Sequence, residues 1–163
     1  MIAEMPRLAG VHHIKLPVRD LARSEAWYGR VLGYHRVAEF IEKGSLKGLA
    51  LEHQAGGPHL GLRLDAARAE ASAGFDYFAI GVPDEAGIEA LAARLDDLGE
   101  RHGEVIRTRI GWILPLLHDP DGHEVRFYTI AEHTPRDPGH VMRVEDGRGL
   151  IDASARRTPP PHR

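Results

Sequence analysis

Asp119-Pro120-Asp121-Gly122-His123-Glu124-Val125-Arg126-Phe127-Tyr128 is a tight turn that runs straight into a strand. Pro120 presets φ and Gly122 supplies the left-handed conformation that such a turn requires. The turn lacks the further acidic positions of an EF-hand loop. After it, side chains alternate: Glu124, Arg126 and Tyr128 share one face of the strand. The chain opens on the same grammar. Val11-His12-His13-Ile14-Lys15-Leu16-Pro17-Val18 alternates as a strand does, Asp20 caps a helix over Leu21–Leu32, and Gly33 ends it.

Working outward, the plan occurs twice. Phe75 to Val82 alternates, Asp84 caps, and Ile88, Leu91, Leu95 and Leu98 form an apolar stripe that Gly99 closes. An offset of 64 maps His13 on Tyr77, Leu16 on Ile80, Val18 on Val82 and Asp20 on Asp84. Each helix is followed by three short strand signals: Tyr34–Phe40, Leu46–Glu52 and His59–Leu64, then Val105–Arg109, Trp112–Leu117 and Glu124–Thr129. The expected class is α+β, two βαβββ modules forming a curved mixed sheet or half-barrel around a cavity. The modules pair within one chain or between two. Residues 1–64 are the first module, 65–74 an Ala-rich charged linker, 75–130 the second module, and 131–163 an extension whose Pro- and Arg-rich end reads as disordered.

Composition excludes several functions. With no cysteine, disulfide frameworks, thiolate metal sites and cysteine nucleophiles are all absent. A net charge of −3 is not that of a nucleic-acid binder. No apolar run reaches the roughly 18 residues of a membrane span, and the first residues carry no apolar leader, so the expectation is a cytoplasmic protein without membrane or nucleic-acid partners. Eleven histidines are many, and histidine is both a metal ligand and an acid–base group. By position, His12 belongs on the strand face under the helix, and His118 and His123 read as turn or surface residues.

Two segments resemble the vicinal oxygen chelate superfamily of glyoxalases, bleomycin-resistance proteins and extradiol dioxygenases. One is His13-Ile14-Lys15-Leu16-Pro17-Val18-Arg19-Asp20-Leu21 with Ser24, Trp27-Tyr28 and Val31-Leu32-Gly33. The other is the turn and strand quoted first. The resemblance covers residues 10 to 130 and implies the paired-module fold. It also implies a homodimer and a metal held by four strand positions. Those positions fall on His13, Gly61, Tyr77 and Arg126. Only His13 is an ordinary ligand. Gly61 has no side chain, neutral tyrosine is a poor donor, and arginine stays protonated and repels cations. No metal or other cofactor is therefore expected. The alternative is a divalent metal at a shifted site of His13, His59 and Glu124.

Strand alternation gathers His13, Lys15, His59, Arg63, Tyr77, Glu124 and Arg126, with Trp112, around the expected cavity. Such a lining suits a small anionic or aromatic molecule, held by Arg126 and stacked on Tyr77 or Trp112. One expected function is binding without chemistry, as in sequestration of a drug or metabolite. The other is an enzyme, a lyase, isomerase or dioxygenase. In its metal-free form His13 and Glu124 move protons and Arg126 stabilises an oxyanion.

Overall fold

A computed structural model describes residue 7, residues 10–108 and 111–131, and the backbone of two strands at 142–145 and 148–151. The first module consists of β1 (His13–Val18), α1 (Leu21–Leu32), β2 (Tyr34–Glu42), β3 (Ser45–His53) and β4 (His59–Leu64). Its sheet order is β1-β4-β3-β2, with β1 and β4 parallel and the other pairs antiparallel. α1 begins where the Asp20 carboxylate accepts the Arg23 N–H at 3.0 Å. It ends at Gly33, whose φ of +76° favours a residue without Cβ. One face of the sheet carries Leu16, Val18, Leu49, Leu51, Leu60 and Leu62, all buried, and α1 packs over this core with Tyr28 and Val31. The opposite face carries His13, Lys15, His59, Gly61 and Arg63. No helix of this module covers it.

The linker is not irregular. Residues Ala66–Ser72 form α2, because Asp65 accepts the Arg68 N–H at 3.0 Å and the alanines that follow are good helix formers. The second module consists of β5 (Ala79–Val82), α3 (Glu85–Asp97), β6 (Ile106–Thr108), β7 (Gly111–His118) and β8 (Glu124–Thr129), in the order β5-β8-β7-β6. Ile88 and Leu95 of α3 are fully buried, and Asp84 caps the helix through the Gly87 N–H. The strand expected over Phe75–Val82 is half as long. Its ladder with β8 starts at Ala79 opposite Arg126, and Phe75 contributes only its carbonyl, to the Glu124 N–H. In the extension, β9 (Met142–Glu145) and β10 (Arg148–Ile151) form an antiparallel hairpin lying against β6. The end expected to be disordered, residues 152–163, lies outside the described residues.

The chain divides into two compact units, and the first includes the His118–Glu124 turn. That turn is tied to α1 by buried polar contacts. The Asp119 carboxylate accepts the Tyr28 hydroxyl at 3.0 Å, the N–H groups of Asp121 and His123 at 2.9 Å each, and His123 Nδ1 at 2.9 Å. His123 Nε2 lies 3.0 Å from the Ser72 hydroxyl of α2. His123 is therefore wholly buried rather than a surface residue, while His118 is exposed. Burial, with Asp119 beside it, holds the Tyr28 phenol well above its ordinary pKa, so it stays a neutral donor.

Asp121 completes the docking. Its carboxylate accepts Arg19 Nε at 2.8 Å, Arg23 Nη2 at 3.2 Å and the Ser24 hydroxyl at 3.1 Å. Burial alone would raise its pKa, but the hydrogen bonds from Arg19 and Ser24 and the charge of Arg23 outweigh it, and the carboxyl is held low. A carboxyl lowered on folding contributes stability that is complete above its unfolded value, about 3.9, and is lost as pH falls through the folded value. Thermal melts across pH 2.5–7 should therefore drop steeply below about pH 4, and Asp121→Asn should flatten that limb. Parallel profiles for the two proteins would show that Asp121 does not set the acid response.

Candidate functional site

The open face of the first sheet holds a cavity of ≈ 360 Å³. Parallel pairing of β1 with β4 puts His13 opposite His59 and Lys15 opposite Gly61, and Arg63 follows two residues further along β4. Period-two alternation then points His13, Lys15, His59 and Arg63 into one space. Gly48, Ala50 and Gly61 form a low floor, and Phe40 and Glu42 reach in from β2. His12 also lines the cavity. It precedes β1 instead of occupying its helix-facing side, and its Nδ1 lies 3.0 Å from Nδ1 of His13. The His12 ring stands edge-on to those of His13 and His59, at centroid distances of 5.2 and 6.4 Å.

Two contacts join residues of this cavity to carboxylates. His59 Nδ1 is 3.5 Å from Glu52. Arg63 gives both terminal nitrogens to Glu42, Nη1 to Oε1 and Nη2 to Oε2, the latter at 2.8 Å. The Glu42 carboxyl is held low chiefly by that hydrogen bond, with the charges of Arg63, Lys47 and Lys15 adding. The Arg63 guanidinium is held correspondingly high. Lys15 and Arg63 bring cationic side chains to a face that also carries His12, His13, His59 and Glu42, an aromatic edge and small residues, a setting for an anion with an apolar body.

The other expected residues do not line this cavity. Tyr77 precedes β5, is exposed, and stacks edge-on against Phe75 at 4.9 Å. Glu124 is buried at the start of β8, its N–H bonded to the Phe75 carbonyl at 3.2 Å. Trp112 and Arg126 belong to the second unit. There Arg107 stands 4.7 Å over the Trp112 ring, and Arg126 pairs in register with Ala79. Sequence reasoning missed His12, Phe40 and Glu42. Glu42 lies two residues past the end expected for its strand, and a register irregularity separates it from Phe40.

The residues do not fit a divalent metal at the four positions the resemblance marks. A Cβ at Gly61 would lie 3.6 Å from the His13 ring, so that position is in place but has no donor. Tyr77 is turned to Phe75, and Arg126 brings a cation. Among the described residues no group of three or more His, Asp or Glu side chains is arranged to hold a metal, so His13, His59 and Glu124 do not form the shifted site. No helix of the described residues is long and apolar enough to cross a membrane.

Two βαβββ modules, each with a parallel outer pair in its sheet, define the class of fold. The chain belongs to the Glyoxalase/Bleomycin resistance protein/Dioxygenase superfamily, whose model matches residues 10–127. Among solved structures it resembles a glyoxylase/bleomycin resistance protein/dioxygenase domain from Frankia sp. EAN1pec, with 22% identity over 76% of this chain and 93% of that one, TM-score 0.60. It also resembles TnmS3, an antibiotic binding protein from Streptomyces sp. CB03234, with 16% identity over 78% and 100%, TM-score 0.60. A third is the fosfomycin resistance protein FosX from Listeria monocytogenes, solved with Mn(II) and a dihydroxypropylphosphonic acid, with 17% identity over 75% and 93%, TM-score 0.56. At these identities the likeness concerns the fold. No curated protein sequence matches the chain significantly.

Proposed function

We propose that the protein binds a small anionic molecule with an apolar or aromatic body in the cavity of its first module, without a metal. The observation that carries this reading is the cationic pair Lys15 and Arg63 over a floor of Gly48, Ala50 and Gly61, the last of which is a donor position in the resemblance and has no side chain. The family contains proteins described as antibiotic binders as well as enzymes, so sequestration of a drug or metabolite suits both site and fold. A homodimer is part of the same reading.

The test is titration of tag-free, chelator-treated protein with 2-naphthoate by calorimetry. Binding should survive removal of metal, and Lys15→Met should weaken it about five- to tenfold, the scale of one charge contact near the surface. Binding that appears only when a divalent ion is added back would overturn the metal-free reading.

A second reading has one observation in its favour. The contact between His12 Nδ1 and His13 Nδ1 can fix the tautomer of His13, as a base in a metal-free lyase or isomerase requires. Glu124 does not line the cavity, so this reading rests on His13. His13→Ala would then abolish turnover while leaving affinity nearly intact.

A further inference from the structure

Arg63 is the planar, bidentate anchor of the cavity, yet its donors are occupied by a residue of the same chain. Glu42 stands at the end of edge strand β2, one residue before a hairpin tip in which Lys43 and Gly44 have φ of +50° and +75°. Every residue of β2 after Tyr34 is exposed, so little packing pins Glu42 where it is. Its carboxylate lies in the combined field of Arg63, Lys47 and Lys15. That is the position a bound carboxylate would seek. The ion pair is open to water on both sides, with side-chain exposures of 38% for Arg63 and 52% for Glu42. Exposed pairs of this kind are weak, so an incoming carboxylate exchanges for Glu42 at small cost. Phe40, two residues earlier on the same strand, packs its ring 3.4 Å from where a Gly48 Cβ would stand and gives the body of a ligand an apolar wall.

We propose that Glu42 is a built-in competitor for the anion site: a ligand carboxylate enters by taking Arg63 from it, and the site therefore selects compact monocarboxylates bearing an aromatic or aliphatic body. This rests on the anion-binding reading above and goes beyond it by naming the exchange and the residue that tunes it. A neutral amide of the same shape cannot make the exchange.

The experiment compares 2-naphthoate with 2-naphthamide by calorimetry on wild type, Glu42→Gln, Arg63→Met and the double variant, with thermal melts as a fold control. Glu42→Gln should bind 2-naphthoate about fivefold more tightly than wild type, the scale of one exposed charge contact. Arg63→Met should weaken binding by about tenfold or more, and the gain from Glu42→Gln should vanish in the double variant. The amide should bind none of the four measurably. Equal or weaker binding of 2-naphthoate by Glu42→Gln would overturn the competitor role while leaving the anion site standing. Absence of binding by both wild type and Glu42→Gln at millimolar 2-naphthoate would overturn both readings.

Discussion

Asp119→Ala should destabilise the protein by about 3–5 kcal/mol, a large part of the 5–15 kcal/mol that holds a typical domain. The alanine would leave four donors without their acceptor: the Tyr28 hydroxyl, the N–H groups of Asp121 and His123, and His123 Nδ1. Tyr28 and His123 are wholly buried, so water cannot replace the carboxylate without opening the core. Each stranded donor costs about 1–3 kcal/mol, and partial relaxation keeps the total below the sum. For a chain of this size the melting temperature should fall by about 10–20 °C, read by far-ultraviolet circular dichroism. Tyr28→Phe removes one of the four contacts and should cost about 1–2 kcal/mol. A loss of only a degree or two for Asp119→Ala would mean that the turn is held by packing alone.

This network also shows where reading the sequence stops. The turn Asp119–Gly122 was legible because Pro and Gly act locally, as were the caps Asp20 and Asp84 and the end at Gly33. The burial of His123 was not, because its partner Ser72 lies 51 residues away and the Tyr28 that shares its aspartate lies 91 residues from Asp119. Tyr77 was placed on a strand by its offset from His13. Strand length, however, is decided by the partner, and β8 pairs only from Ala79 onward. Half of the cavity followed from alternation because β1 and β4 pair without a bulge. β2 has irregularities between Arg36 and Ala38 and between Phe40 and Ile41, so its contribution of Phe40 and Glu42 had no clean period to betray it. That Gly61 and Arg126 offer no metal donor was legible from residue chemistry alone. The ring contact that sets His12 beside His13 was not, since it depends on the strand starting two residues later than its alternation implied.

Gly61→Glu should abolish binding of an aromatic carboxylate, at least tenfold in affinity, while the protein keeps its fold. A Cβ at Gly61 would meet only ordinary contacts, 3.6 Å to the His13 ring, 3.8 Å to the Ile14 carbonyl and 3.9 Å to Lys15 Cα. A side chain there also relieves the entropic cost of glycine in a strand, so melting should change by no more than a few degrees. Gly48, on the same face, behaves differently. Its Cβ would lie 2.9 Å from the Leu62 carbonyl, which is backbone and cannot step aside, so Gly48→Ala should cost about 1–3 kcal/mol. The new carboxylate of Gly61→Glu would rise from the floor next to Lys15, its register partner, and neutralise the field that attracts an anion. Gly61→Gln has nearly the same volume without the charge and should retain most of the affinity that Glu removes. Equal losses for Glu and Gln would show that space in the cavity, rather than its positive charge, selects the ligand. Unchanged binding by both would place the ligand elsewhere on the chain.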